Sequence, residues 1–139
     1  MTLNEVPALC EPTPRKKPDD KEHQLQCACV RWFNIRYPRL RGRLFAVPNG
    51  GRRDAITGAR LKAEGVVAGV ADLILLKSNR DYGALLIEMK HDKGKQTKAQ
   101  QDWECNVCSR DEYKYVVCHN LDEFMREINN YISLTTDDF

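Results

Sequence analysis

No apolar run in the 139 residues reaches the length of a membrane span, and the N-terminus lacks the apolar stretch of a secretory signal. A soluble, intracellular, cytoplasmic protein is therefore the expectation. The chain also lacks a strong charge of either sign overall, its formal net charge being +2. Total charge thus says little about partners. Glycine is sparse, and proline is nearly confined to one place, with four of six prolines in the first twenty residues. That stretch has no periodic apolar pattern, so residues 1–19 read as a flexible arm and 20–139 as one domain. Six cysteines invite a disulfide or zinc reading, but a domain of this size does not need such staples, and they are read as reduced thiols.

What the total hides is how the charge is distributed. From Arg31 to Lys62 there are nine basic residues against Asp54 alone, a local balance of +8. Such a basic third is either a solvated face or the footprint of a polyanion such as DNA. Within it, Asn49-Gly50-Gly51 marks a turn, and Asn49, Arg52 and Arg53 become candidate DNA contacts.

Apolar periodicity predicts a helix from Asp20 to about Arg36, with Glu22 on the face that carries Leu25, Gln26 and Cys29. Leu44–Val47 reads as a short strand and Asp54–Glu64 as a short helix. Two apolar runs, 71–76 and 84–90, then form a hairpin across Lys77–Gly83. A helix capped by Thr97 follows to about Arg110, then a strand over Tyr113–Cys118 and an amphipathic helix over Leu121–Ile132. Cys105 and Cys108 fall on one helical face, where core packing is the commoner fate than zinc binding. His23, beside Glu22, reads more readily as a surface histidine than as a contact for a leaving group.

The hairpin carries the chemistry. If it is symmetric about Arg80, paired positions sum to about 160, and Asp72 falls opposite Glu88. Side chains directly opposite share a face, so two carboxylates are forced together. Like charges that close make sense mainly around a cation, and oxygen ligands favour Mg²⁺ or Mn²⁺. Lys90 follows Glu88 by two and reaches the same face. A metal to polarise a phosphate and a lysine to orient a nucleophile are what phosphodiester hydrolysis requires. Taken alone, an Asp plus Glu-x-Lys is equally a strand cap and a surface ion pair.

Gly69-Val70-Ala71-Asp72, Ile87-Glu88-Met89-Lys90 and Thr97-Lys98-Ala99-Gln100-Gln101-Asp102-Trp103, in this order and spacing, resemble the virus-type replication-repair nuclease (VRR-NUC) domain of the PD-(D/E)xK superfamily. Pro48-Asn49-Gly50-Gly51 and Leu61-Lys62-Ala63-Glu64-Gly65 are similar to its stand-alone phage-type members. The resemblance implies an α/β, restriction-endonuclease-like core with a mixed central sheet flanked by helices. It implies that Asp72, Glu88 and the Met89 carbonyl bind the metal, with Lys90 catalytic, Glu22 the helix-borne acid and Gln100 lining the site. It also implies DNA as substrate, in branched forms such as four-way junctions or flaps, and a homodimer. Ala71 departs from the family's usual proline, a change in backbone stiffness rather than in ligand chemistry. The rival readings are a DNA-binding module that keeps the nuclease fold without catalysis and a zinc-stabilised interaction domain.

Overall fold

The computed structural model describes residues 20–48 and 55–134. The arm at 1–19 and the Asn49, Arg52 and Arg53 candidates lie outside the described residues. The elements are α1 (Asp20–Arg36), a 3₁₀ turn (Pro38–Leu40), β1 (Leu44–Ala46), α2 (Ala55–Ala63), β2 (Leu73–Leu75), β3 (Ala84–Met89), α3 (Lys98–Val107), β4 (Tyr113–Cys118) and α4 (Leu121–Ser133). Their order matches the sequence expectation, with the 3₁₀ turn added where Pro38 follows the end of α1. None of these helices is long and apolar enough to cross a membrane.

The four strands form one mixed sheet in the order β1-β2-β3-β4. β1 and β2 are antiparallel, as are β2 and β3, while β3 and β4 run parallel. A parallel pair needs a crossover, and α3 supplies it. The hairpin register is Leu73↔Ile87, Ile74↔Leu86 and Leu75↔Leu85, each summing to 160 as the symmetry about Arg80 requires.

Alternation along the strands separates two faces. Leu73, Leu75, Leu85, Ile87, Met89 and Cys118 turn to one side and meet Cys29 and Phe33 of α1 and Phe124, Ile128 and Tyr131 of α4 in a buried core. Trp32 packs edge-on against both Tyr37 and Phe124, tying the two helices together. Burying one large apolar side chain of this kind contributes about 1.5–3 kcal/mol, so this face supplies most of the stability. The other face bears Asp72, Glu88, Lys90 and Tyr115, and α3 lies over it, with Trp103 6.3 Å from the Tyr115 ring.

Burial along α3 departs from the sequence reading. Cys105 is exposed, Cys108 half-buried, and none of the helix is fully buried. α3 covers the polar face of the sheet, so its inward stripe meets strand side chains rather than a second apolar layer. The buried cysteines are Cys29 and Cys118, and burial raises both thiols to about 12, as expected of inert packing groups. The 77–83 connection is also more than a polar turn. Lys77 is buried, the Asn79 side chain accepts the backbone N–H groups of Asp81 and Tyr82, and Arg80 N–H donates to the Leu134 carbonyl beyond α4.

Candidate active site

β2 begins one residue after Asp72, and that short step builds the site. The Asp72 carbonyl still accepts from Val47 N–H at 2.9 Å, continuing the ladder with β1. Toward β3 its side chain replaces the backbone, and Oδ2 accepts from Met89 N–H at 2.8 Å. In an antiparallel ladder the N–H and C=O of one residue point to the same neighbour, so the Met89 carbonyl faces the Asp72 edge. Lys90 N–H points the other way and donates to the Cys118 carbonyl on β4.

Glu88 is 1 % exposed, in a strand whose six residues are all buried. Its Oε1 accepts from Gln100 Nε2 at 2.6 Å and lies 3.7 Å from Lys90 Nζ. Oε2 is buried and accepts no hydrogen bond among the described residues. A buried carboxylate oxygen left unpaired is costly and calls for a reason. Burial pushes the Glu88 carboxyl up to about 8; the Asp72 carboxylate adds to the rise, as does the charge of Glu22, while Lys90 opposes it. Glu22, half-buried in the first turn of α1, is therefore within electrostatic reach of the pair.

Gln100 is fixed from its other end by a capping box. Thr97 Oγ1 accepts from Gln100 N–H, and Gln100 Oε1 accepts from Thr97 N–H at 2.8 Å. The amide that starts α3 is thereby oriented to give its Nε2 to Glu88. Gly69 brings that helix close: its φ is +85°, and a Cβ there would sit 2.2 Å from the Ala99 carbonyl oxygen. Only glycine allows the lead-in to Asp72 to press against the start of α3.

Asp72, Glu88, Lys90 and Gln100 are thus brought together, with Glu22 near and the Met89 carbonyl on the right edge. Tyr115 was not foreseen. It pairs with Leu86, shares the face of Glu88, and has a buried hydroxyl beside Gln96, pushed up by burial. Only the strand-crossing register could have found it, and no sequence pattern fixes a parallel register across a helix. His23 is exposed and sits 3.6 Å from Cys27 Sγ, in an outward cleft of about 580 Å³ that holds none of these residues.

The arrangement suits a hard divalent cation. Asp72 and Glu88 offer carboxylate oxygens, one of them unsatisfied, and the Met89 carbonyl offers a neutral one. Among the described residues no three His, Cys, Asp or Glu side chains form a cage on their own. Mg²⁺ is usually held by one or two carboxylates with the remaining positions left to water or substrate phosphate, so a partial set is the expected form.

Comparison with known proteins shows the family of the chain. The VRR-NUC domain model matches residues 19–121, and the chain belongs to that family. A solved VRR-NUC domain protein superimposes with a TM-score of 0.71 at 26% identity, covering 85% of this chain and 93% of that one. The fold is that of the PD-(D/E)xK nucleases, and the chain carries a nuclease domain. Among curated proteins no match is found.

Proposed function

We propose that the protein is an Mg²⁺- or Mn²⁺-dependent DNA endonuclease, selective for branched DNA such as four-way junctions or flaps. The observation that carries this reading is the buried, unsatisfied Glu88 Oε2 beside Asp72, with Lys90 at 3.7 Å on the same face. Asp72, Glu88 and the Met89 carbonyl would hold the ion. When bound, it polarises the scissile phosphate and lowers the pKa of water. Gln100 occupies Glu88 Oε1 and so leaves Oε2 directed to the ligand. Met89 N–H holds Asp72 in place. Lys90, on a buried strand end, keeps its ammonium where it can orient the attacking water and offset the charge that grows on the phosphate. Glu22 is a third acid at the edge of the pair, placed to relay a proton or an outer water.

Asn49, Arg52 and Arg53 are proposed DNA contacts on the basic segment. The proposal includes a homodimer, because resolving a junction needs two coordinated cuts and a two-fold pair supplies two opposed sites. A stand-alone, phage-type enzyme acting in the host cytoplasm fits the same reading. Labelled duplex, flap, splayed and four-way DNA, each with Mg²⁺ or Mn²⁺, test it. Branched forms should be cut faster than duplex. Binding without cleavage of any form would leave a DNA-binding module that has kept the nuclease fold. Sedimentation should give a mass near twice 16.0 kDa; a monomer would remove the two-site argument.

A further inference from the structure

Beyond Lys90 the chain runs His91-Asp92-Lys93-Gly94-Lys95-Gln96-Thr97 before α3 begins. This segment is fixed more firmly than a surface loop needs to be. Gly94 N–H donates to the His91 carbonyl at 3.0 Å, closing a tight turn in which Asp92 adopts a left-handed φ of 58°. Such backbone is sparsely populated, and aspartate is among the few residues that tolerate it. The turn folds back onto the catalytic candidate: a Cβ on Gly94 would lie 3.3 Å from Lys90 Cβ and 3.5 Å from Lys90 Cδ.

A third contact comes from the junction of β4 and α4. His119 Nε2 lies 3.1 Å from the Gly94 carbonyl, and Nδ1 lies 3.1 Å from Glu123 Oε2. Glu123 also accepts His119 N–H at 2.7 Å, which holds its carboxyl below the usual range. At its far end the loop is closed by the Thr97–Gln100 capping box. What this frame displays is cationic. Lys93 and Lys95 are exposed, and neither has an ion-pair partner among the described residues, whereas Lys98 is paired with Asp102.

We propose that the 91–97 loop is a phosphate-binding segment for the DNA strand being cut, with Lys93 and Lys95 as its contacts and His119 as the positioning residue that sets the loop against Lys90. This rests on the nuclease reading. The loop starts at Lys90, so the phosphates within its reach are neighbours of the scissile one. Phosphate contacts of this kind fix the register of a strand without reading its sequence.

The test is binding of a labelled duplex with metal chelated, followed over about 0.05–0.2 M salt. Replacing both exposed lysines (K93A/K95A) should weaken affinity several-fold for every DNA shape. It should also make the salt slope shallower by roughly two. In turnover with Mg²⁺, His119→Ala should raise KM for DNA by a larger factor than it lowers kcat. Added to K93A/K95A, it should raise KM little further. If K93A/K95A keeps the wild-type affinity and salt slope while the wild type binds and cuts, the loop is only a solvated surface and the nuclease reading stands. If the wild type binds no DNA at any of these salt concentrations, both readings fall together.

Discussion

β3 and α2 stand at opposite extremes of this fold. All six residues of β3 are buried, and one of them is a glutamate; α2 has no buried residue, and one of its side chains is Ile56, 77% exposed. Each breaks the ordinary sorting of polar from apolar in its own way. A carboxyl inside a strand is tolerated where other groups hold it, and here Gln100 and Lys90 converge on it while Asp72 opposes its charge. The helix is the reverse case: Ile56 is set in water, and beyond the helix Val66 and Val67 are exposed in a cleft of about 540 Å³ that Leu61 also lines. The strand is committed to chemistry by its neighbours. The helix sits in the basic third and contributes little to the core.

The sharpest way to break this contrast is at Lys90. Lys90→Ala removes the ammonium paired with the buried carboxylate and should lower the cleavage rate about 10²–10³-fold, while DNA affinity stays near wild type. A single-turnover assay reads the rate; an unchanged value would take Lys90 out of the mechanism. Next comes Glu88 itself. Its carboxyl is raised from 4.5 to about 8, so in metal-free protein the folded state holds the proton more tightly than the unfolded chain does. That contribution to stability is complete below pH 4.5 and is lost as pH rises through 8. Thermal melts in chelator should therefore show Glu88→Gln with a flatter decline across this window, and with no gain on adding Mn²⁺. A parallel decline in both proteins would contradict the assigned cause.

Gln100→Ala is expected to act more modestly on stability. It removes the side-chain half of the capping box, leaving the Thr97 Oγ1 bond to the backbone N–H in place, together with the bond to Glu88 Oε1, a loss of about 1 kcal/mol at the helix start, which corresponds to a melting temperature lower by roughly 3 °C. Ile56→Ser should have the smallest effect, within about 0.5 kcal/mol. If Ile56→Ser is instead as costly as Gln100→Ala, α2 is packed in solution and the contrast narrows.

The hairpin was legible because its physics is local. Two apolar runs and a seven-residue connection fix the register, and the register alone brings Asp72 and Glu88 together. The helices were legible through apolar periodicity and, for α3, through its cap Thr97, whereas the Asn120 cap of α4 emerged only from the structure. What escaped depends on contacts between distant segments. The closeness of Gly69 to Ala99, the place of Tyr115 beside Glu88 and the His119–Gly94 bond follow from how α3 crosses the sheet. The exposed Cys105 was misjudged because an amphipathic stripe reveals which side faces inward but not whether the layer it meets is apolar. Ile35 and Ile56 are 74% and 77% exposed, and no sequence pattern marked them as surface residues.

Cleavage of supercoiled plasmid DNA with Mg²⁺, with excess chelator, and after Mg²⁺ is restored tests the central claim most directly. The account predicts nicked and linear products with the ion, none with the chelator, and recovery on restoration. Cutting at an unchanged rate in chelator would contradict it.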